Sequence, residues 1–561
     1  MSKLVAVGLT KGPGEQPNEF TFISRDKDRS LKVGEFIEYS IKVEEQERHV
    51  LSRIIQRKPL RQYPDPFLGD AEVDPKLVAS LVGYRGEGSE LFEVTGRVIG
   101  YYDKSIGDFI NPRVPPIIGS PIFISTNEDL VTVLSKKKRF EIGSATIGSL
   151  LSREQDAVPI NLDLRAITGT HLSIIANTGA GKSYLASVII EEMMMPYNRA
   201  AVLIVDPHGE YNTIEHIMNS QEFADGEYRP VVKIYKPGDV KVRVASLSLG
   251  DFYYLLPNVS ERMEYLLRKA IRDVSQNSRK DTGHTDRWTH DELQVRLRQL
   301  GEGAGEDSGE VDNTYLATAD ALIWRIDSTF DRSVIFDNIE QTELSRMFTP
   351  GQCSVLQLNE VGEKEQQVMV AALLRRIFKA RSQTIKGNIV QEDPLYLPYP
   401  VFVLIEEAHH FAPANANIVS TNILKQILAE GRKFGVAVGL ISQRPGKLDP
   451  DVLSQCNTQC LMRIVNPVDQ ARVAESIETI GRDLLRELPA LTKGQAIIAG
   501  EGVNTPVLCR VRTRISPHGA ETSDAPSEWM NYFSKSEMKR RKREKALPAQ
   551  RNEAKDDKLF K

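Results

Sequence analysis

Residues Ala176–Ser183 read ANTGAGKS, between an apolar run, LSII, and a helical one, YLASVIIEEMMM. A Gly-x-x-x-x-Gly-Lys-Ser/Thr segment that follows a strand and opens a helix is the pattern of a phosphate-binding loop. Ala176 stands at the first Gly position as a small substitute. Small residues let backbone N–H groups curl around a phosphate at the positive end of a helix dipole. Lys182 then reaches the outer phosphates, and the Ser183 hydroxyl ligates Mg²⁺. Asn177, Thr178, Gly179, Ala180, Gly181 and Tyr184 complete the set expected to touch a nucleoside triphosphate such as ATP. The competing reading, a Gly-rich turn of no function, leaves the strand, the helix and the Gly-Lys-Ser together unexplained.

Such a loop needs a further carboxylate near the Mg²⁺, at the tip of a neighbouring strand. VFVLIEEAHHFAP (Val401–Pro413) supplies two. Glu406 is placed to join the metal shell, and Glu407 to orient and polarise the attacking water. The rival reading is a metal centre of Glu406, Glu407, His409 and His410. Zinc helices space two histidines at i and i+4, whereas these are adjacent and cannot share a helix face. His409 is expected to hydrogen-bond locally and couple nucleotide state to the rest of the molecule, and His410 to pack. Two more strand-like runs end in polar residues: AVLIVDPHGEY in Asp206, with Glu210 following, and VAVGLISQRP in Ser442 and Gln443. Turn and capping roles explain many such residues. Their recurrence at successive strand ends favours a ligand site, because ligands bind at the carboxyl ends of parallel strands. Gln443 is a candidate γ-phosphate sensor. ILAEGRKFG carries Arg432 and Lys433. An Arg there could stabilise transition-state charge in a neighbour's site, or simply meet the dipole of a helix end.

The elements around these residues fall into blocks. Residues 1–140 are rich in short Val, Ile, Phe and Tyr runs broken by Gly, Pro, Asp and Asn, and predict a small β-barrel. Residues 141–170 read as a linker. From 171 to 515 strand-like and helical runs alternate, the signature of an α/β core with a mostly parallel sheet. Residues about 250–345 are helix-like and interrupt it as an insertion. Residues 516–561 form a tail containing the basic run KRRKREK. Hydrophobic residues at 41% and charged residues at 26% fit a globular chain. The net charge of −4 gives no overall basic field, so any DNA-binding surface must be local. Cys456 and Cys460 have C-x-x-x-C spacing rather than a zinc-type C-x-x-C. Scarce cysteine, no signal-peptide pattern and no membrane-length apolar run lead to the expectation of a cytoplasmic protein.

ANTGAGKS, VDPHGEY, LIEEAHHF, EGRKFG and SQRP, in that order, resemble the HerA family of the FtsK–HerA group of P-loop ATPases. VTGRVIGYYD and PPIIGSPIF look like that family's N-terminal barrel, and LPALTKGQAIIAGEGVNTPVLCRVR like its closing strands, so the likeness spans roughly residues 1–515. The resemblance implies a RecA-like core in a homohexamer that hydrolyses ATP with Mg²⁺ and pumps double-stranded DNA through a central pore. By matching position it implies that Lys182 and Ser183 bind nucleotide and metal, Glu406 and Glu407 serve metal and water, Asp206 lies near the site, Gln443 senses and Arg432 acts across the subunit boundary. Thr170 departs from the pattern, since the family often has Arg before the His that opens the phosphate-loop strand; Arg165 is the nearby substitute. The family commonly works with the nuclease NurA in DNA end processing. An alternative is the ATPase ring of an anti-phage complex scaffolding a separate effector, a nuclease or an NADase; another is a motor that does not act on DNA. For DNA, two basic segments are candidate pore loops: Gln443–Pro450, with Arg444 and Lys447, and Lys379–Asn388, with Arg381 and Lys386. Ordinary solvated loops are the plain alternative for both.

Overall fold

The computed structural model describes residues 5–26, 29–60, 74, 91–302, 313–477, 480–517 and 525–546. The chain divides into Met1–Pro517 and the separate tail His518–Lys561.

The front of the chain forms seven antiparallel strands: β1 (Ala6–Pro13), β2 (Glu19–Ser24), β3 (Phe36–Val43), β4 (Gln46–Pro59), β5 (Phe92–Asp103), β6 (Asp108–Ile110) and β7 (Pro121–Ile124). The order β2-β1-β7-β3-β4-β5 closes on itself through a β2–β5 pairing, and β6 extends β5 as a hairpin. Six strands are thus a closed barrel with no free edge. Alternation along β5 turns Val94, Gly96 and Val98 inward, where Val94 and Val98 join Phe20, Phe22, Ile37, Tyr39 and Ile54 in a core. Gly96 is required by close packing: a Cβ there would sit 2.7 Å from the Phe20 ring.

Behind the barrel lies an eleven-stranded sheet built from β8 (Ser144–Leu150), β9 (Pro159–Asp163), β10 (Leu172–Ile175), β11 (Val202–Asp206), β12 (Val231–Tyr235), β15 (Gln352–Gln357), β16 (Val401–Ile405), β17 (Val436–Ser442), β18 (Thr458–Leu461), β19 (Gln495–Gly500) and β20 (Val507–Val511). The short strands β13 (Val242–Arg243) and β14 (Phe336–Asp337) pair apart from it. The order is β12-β15-β11-β16-β17-β10-β18-β19-β20-β8-β9, parallel from β12 to β18 and antiparallel beyond. The apolar runs of β10, β11 and β16 are buried along their whole length because helices cover both faces. On one face α1 (Lys182–Met194) packs with β10. On the other lie the insertion helices α2 (Glu261–Thr282), α3 (His290–Glu302) and α4 (Asn313–Phe330), with α5 (Glu363–Ile385) and α6 (Val419–Phe434).

Two sequence expectations change here. Residues 141–170 are not a linker: β8 and β9 are edge strands of the large sheet, and the helix Leu164–Thr170 leads into β10. Lys379–Asn388 is not a loop, because α5 continues to Ile385. KRRKREK lies within a helix, Ala525–Ala546.

The barrel and the sheet share apolar contacts, with Phe36 and Leu51 in the same cluster as Leu150 and Leu185. They are also latched by charge. Buried Arg53 donates to Asp483 at 2.7 Å and to the Pro506 carbonyl at 2.9 Å, and Arg97 pairs with both Asp483 and Glu19.

A candidate nucleotide site at the carboxyl edge of the sheet

The phosphate loop leaves β10 at Ala176 and enters α1 at Lys182. Gly179 and Gly181 have φ of +77° and +107°, a region that favours glycine, and no atom lies within 4 Å of where a Gly179 Cβ would be. The loop is tied to both neighbouring strands: Ala176 N–H donates to Ser442 O on one side and Asn177 N–H to Arg463 O on the other, at 3.2 and 3.0 Å. The first-turn N–H groups of α1 have no intrahelical acceptors and face this opening.

Strand order explains how distant residues meet. β17 lies between β10 and β16, so the tips of all three converge. From β17, Gln443 accepts a hydrogen bond from Thr178 Oγ1 at 2.6 Å. From β16, Glu406 and Glu407 reach the buried Lys182 ammonium, which pairs closely with Glu406 and lies 3.1 Å from Glu407 Oε1. The fully buried Tyr211 hydroxyl donates to Glu406 Oε2 at 2.8 Å, and Ser183 Oγ donates to Glu210 at 2.5 Å.

The electrostatics follow from burial. Desolvation pushes the Glu406 carboxyl up to about 7, against the opposing pull of Lys182 and the Tyr211 hydroxyl. Desolvation works against the Lys182 ammonium, but Glu406, Glu407 and Glu210 outweigh it and hold its pKa above the ordinary lysine value. Burial drives His409 down to about 4, with His410, Arg444, Lys447 and Lys182 adding to the effect, so its imidazole is neutral. His409 Nδ1 lies 3.2 Å from both Ser442 Oγ and Glu407 Oε2. Glu407 Oε2 is buried and accepts no hydrogen bond among the described residues. Glu407 itself has φ +50° and ψ +46°, a left-handed conformation unusual for a non-glycine residue and concentrated at functional sites. Ser183, Glu406 and Glu210 are hard oxygen ligands of the kind Mg²⁺ takes beside phosphate, and the unpartnered Glu407 oxygen is suited to a water proton. The residues fit a magnesium nucleotide.

Other sequence candidates fall elsewhere. Asp206 is fully buried, but its carboxylate accepts backbone N–H groups from His208, Gly209, Glu210 and Tyr211 at 2.8–3.3 Å. It shapes the loop that presents Glu210 and Tyr211 and has no direct part in the cluster. Those two residues meet Ser183 and Glu406, and the sequence reading left them without roles; GEY directly after a strand-ending VDPH was the available signal. Thr170 is buried and donates to Ala166 O, while Arg165 is exposed. Both precede β10, away from the phosphate loop at its other end. His171 is buried and neutral, lowered to about 4 by desolvation. Its Nδ1 accepts from Val438 N–H, so its Nε2 donates to Leu428 O one turn before Arg432.

Arg381 is no pore contact. Its buried guanidinium donates to Phe434 O at 2.8 Å and Leu397 O at 2.5 Å, fastening α5 to the end of α6. Arg381→Ala orphans two carbonyls and should cost roughly 2–4 kcal/mol of stability, read as a lower denaturation midpoint; an unchanged midpoint would contradict this assignment. Lys386 is exposed, 5.6 Å from the Phe434 ring centre. Arg444 and Lys447 are exposed, and their loop is hydrogen-bonded to the segment after His410 through Ala414 N–H to Lys447 O and Asp449 N–H to Ala412 O.

The family model for the central domain of helicase HerA matches residues 145–377. A DNA double-strand break repair helicase HerA of Pyrococcus furiosus is 29% identical over 463 residues, covering 76% of this chain and 78% of the relative. A probable helicase of Methanocaldococcus jannaschii is 28% identical over 528 residues, covering 88% of this chain and 93% of the relative. Among solved structures, the plasmid coupling protein TrwB in complex with ADPNP aligns with a TM-score of 0.46 at 14% identity, covering 71% of this chain and 95% of that one. No helix of the described residues is long and apolar enough to cross a membrane. With the phosphate loop, the paired glutamates and the glutamine-bearing strand brought together at one edge of the sheet, and with these relatives matching most of the sequence, the chain is similar to HerA helicases over most of its length.

Proposed function

We propose that this protein is an ATP-driven translocase of double-stranded DNA, working as a homohexameric ring with a nuclease on a separate chain. The observation that carries the ATPase is the Lys182 ammonium held between Glu406 and Glu407, with Gln443 on the intervening strand. ATP with Mg²⁺ would draw Lys182 onto the outer phosphates and leave Glu406 and Ser183 to the metal. Mg²⁺ would supply charge neutralisation at the β- and γ-oxygens. Glu407 Oε2 then takes the proton of the attacking water, and the neutral His409 beside it adds no competing charge. Gln443 follows the γ-phosphate from the tip of β17.

Arg432 supports a ring. It is exposed at the end of α6, and its guanidinium forms no ion pair among the described residues. It precedes β17, whereas the phosphate site lies beyond that strand's other end, a span of roughly 20 Å at about 3.3 Å per residue. Its own site is out of reach, so a transition-state role requires a neighbouring subunit.

DNA is assigned to the Gln443–Pro450 loop. Its ties to the segment after the catalytic glutamates give it a route to nucleotide state, and six copies in a ring would concentrate its two exposed cations. The test is ATP hydrolysis and duplex binding across a salt series. Duplex DNA should stimulate wild-type ATPase. Arg444→Glu with Lys447→Glu should weaken duplex binding and flatten its salt dependence, by about one unit of slope for each phosphate no longer neutralised, while DNA-independent ATPase largely survives. No stimulation by duplex DNA would overturn the translocase reading; an unchanged affinity and slope would remove this loop from the DNA path.

A further inference from the structure

Beyond β20 the chain folds back along α1 as a short strap, Arg512–Ser516. Glu191 of α1 is fully buried and accepts hydrogen bonds from Ile515 N–H, Ser516 N–H, Ser516 Oγ and Arg512 Nη1 at 3.0, 2.8, 2.6 and 3.0 Å. Its neighbour Glu192 accepts from Arg512 at 2.9 Å and from the Tyr197 hydroxyl at 3.0 Å. The phosphate-loop helix and the strap are therefore fastened together through two carboxylates.

The strap sets Arg514 over Tyr184, the residue immediately after Ser183. Arg514 N–H donates to the Tyr184 hydroxyl at 2.8 Å, and the guanidinium carbon lies 5.8 Å from that ring's centre. The guanidinium itself donates to Thr213 Oγ1 at 3.2 Å and to Ser516 Oγ at 2.8 Å. Both acceptors are neutral hydroxyls, and Arg514 forms no ion pair among the described residues. Glu191, the carboxylate whose charge acts on it most, is already filled by the strap. Desolvation lowers the Arg514 pKa, with Glu191 resisting. A partly buried arginine whose partners are all neutral is a cation still lacking its anion.

Its position specifies which anion. Lys182 and Ser183 serve the outer phosphates and the metal. Tyr184 follows them on the first turn of α1. A nucleotide with its outer phosphates at Lys182 and Gln443 extends its inner phosphate and sugar past Tyr184. We propose that Arg514 binds the α-phosphate of ATP, with Tyr184 walling the sugar side; this rests on the ATPase reading above. The guanidinium fork suits two phosphate oxygens, which an ammonium cannot engage in the same way.

The experiment uses full-length protein and the two diastereomers of ATP carrying sulfur in place of one non-bridging α-oxygen. Wild type should discriminate between them by roughly tenfold in kcat/KM, the worth of one directed charge-assisted contact. Arg514→Ala should raise the KM for ATP and bring the diastereomer ratio towards one, and Arg514→Lys should give an intermediate ratio. A raised KM with an undiminished ratio in both variants would reduce Arg514 to a structural strap residue and overturn the proposal, as would wild-type KM in Arg514→Ala. Should the alanine variant fail to fold, the lysine variant's ratio decides. Wild-type protein that hydrolyses no ATP would instead refute the ATPase reading on which the proposal rests.

Discussion

Lys182→Ala should reduce ATP hydrolysis to background and also make the nucleotide-free protein markedly less stable at alkaline than at acid pH. Loss of hydrolysis follows from removing the charge that meets the outer phosphates. The stability effect follows from what Lys182 does without nucleotide: it is the cation between two buried carboxylates. Glu406 has its carboxyl raised from 4.5 to about 7 by burial. A carboxyl raised above its unfolded value contributes stability that is fully present below the unfolded pKa and lost as pH rises through the folded one. In wild type that loss falls between about pH 4.5 and 7, and Lys182 limits it. Without the ammonium the loss deepens and extends upward, because a buried carboxylate stripped of its partner costs roughly 3–5 kcal/mol. Melting of the nucleotide-free variant and wild type at about pH 6 and pH 8 checks it. The variant's deficit should be clearly larger at pH 8; a deficit equal at both would mean that the ion pair is not its source.

Glu407→Gln should leave ATP binding near wild type and cut turnover by roughly 10²–10⁴-fold, the usual worth of a positioned general base. The amide keeps the volume and hydrogen-bonding reach of the side chain but cannot take a proton. Equilibrium binding and single-turnover hydrolysis separate the two quantities. Wild-type turnover in this variant would remove Glu407 from its role and leave its strained backbone and unpartnered oxygen without a chemical purpose.

What was legible in the sequence was what carries its own local context. The phosphate loop needs only a preceding strand and a following helix, both adjacent in the chain, and the paired glutamates end an unbroken apolar run. The barrel was readable because its strands alternate and are punctuated by turn residues. β8 was not: SATIGSL has no clear apolar alternation, and its place in the sheet depends on pairing with β20, from the far end of the chain. Arg381 looked like a solvent-facing loop cation, yet its partners are carbonyls brought in by α6 and by the segment before β16. Asp206 read as part of the ligand site because it ends a strand beside the others; four backbone donors turn it into a loop former. Arg514 was invisible, since nothing in its neighbourhood marks a strap that returns to the phosphate-loop helix.

The latch on Asp483 makes the front and the motor of this chain a single unit of inheritance. Asp483 is gripped by barrel residues Arg53 and Arg97, and a little further along the same segment Gly494 N–H donates to the carbonyl of Ala180 inside the phosphate loop. A substitution in the barrel can thus reach nucleotide turnover through the Asp483 ion pairs, the segment on to Gly494 and its hydrogen bond to the phosphate loop, without altering any residue that touches ATP. Barrels exchanged between relatives should preserve function only when the latch residues travel with their own core, so recombination within the family is expected to respect this seam rather than the sequence boundary between strands and helices.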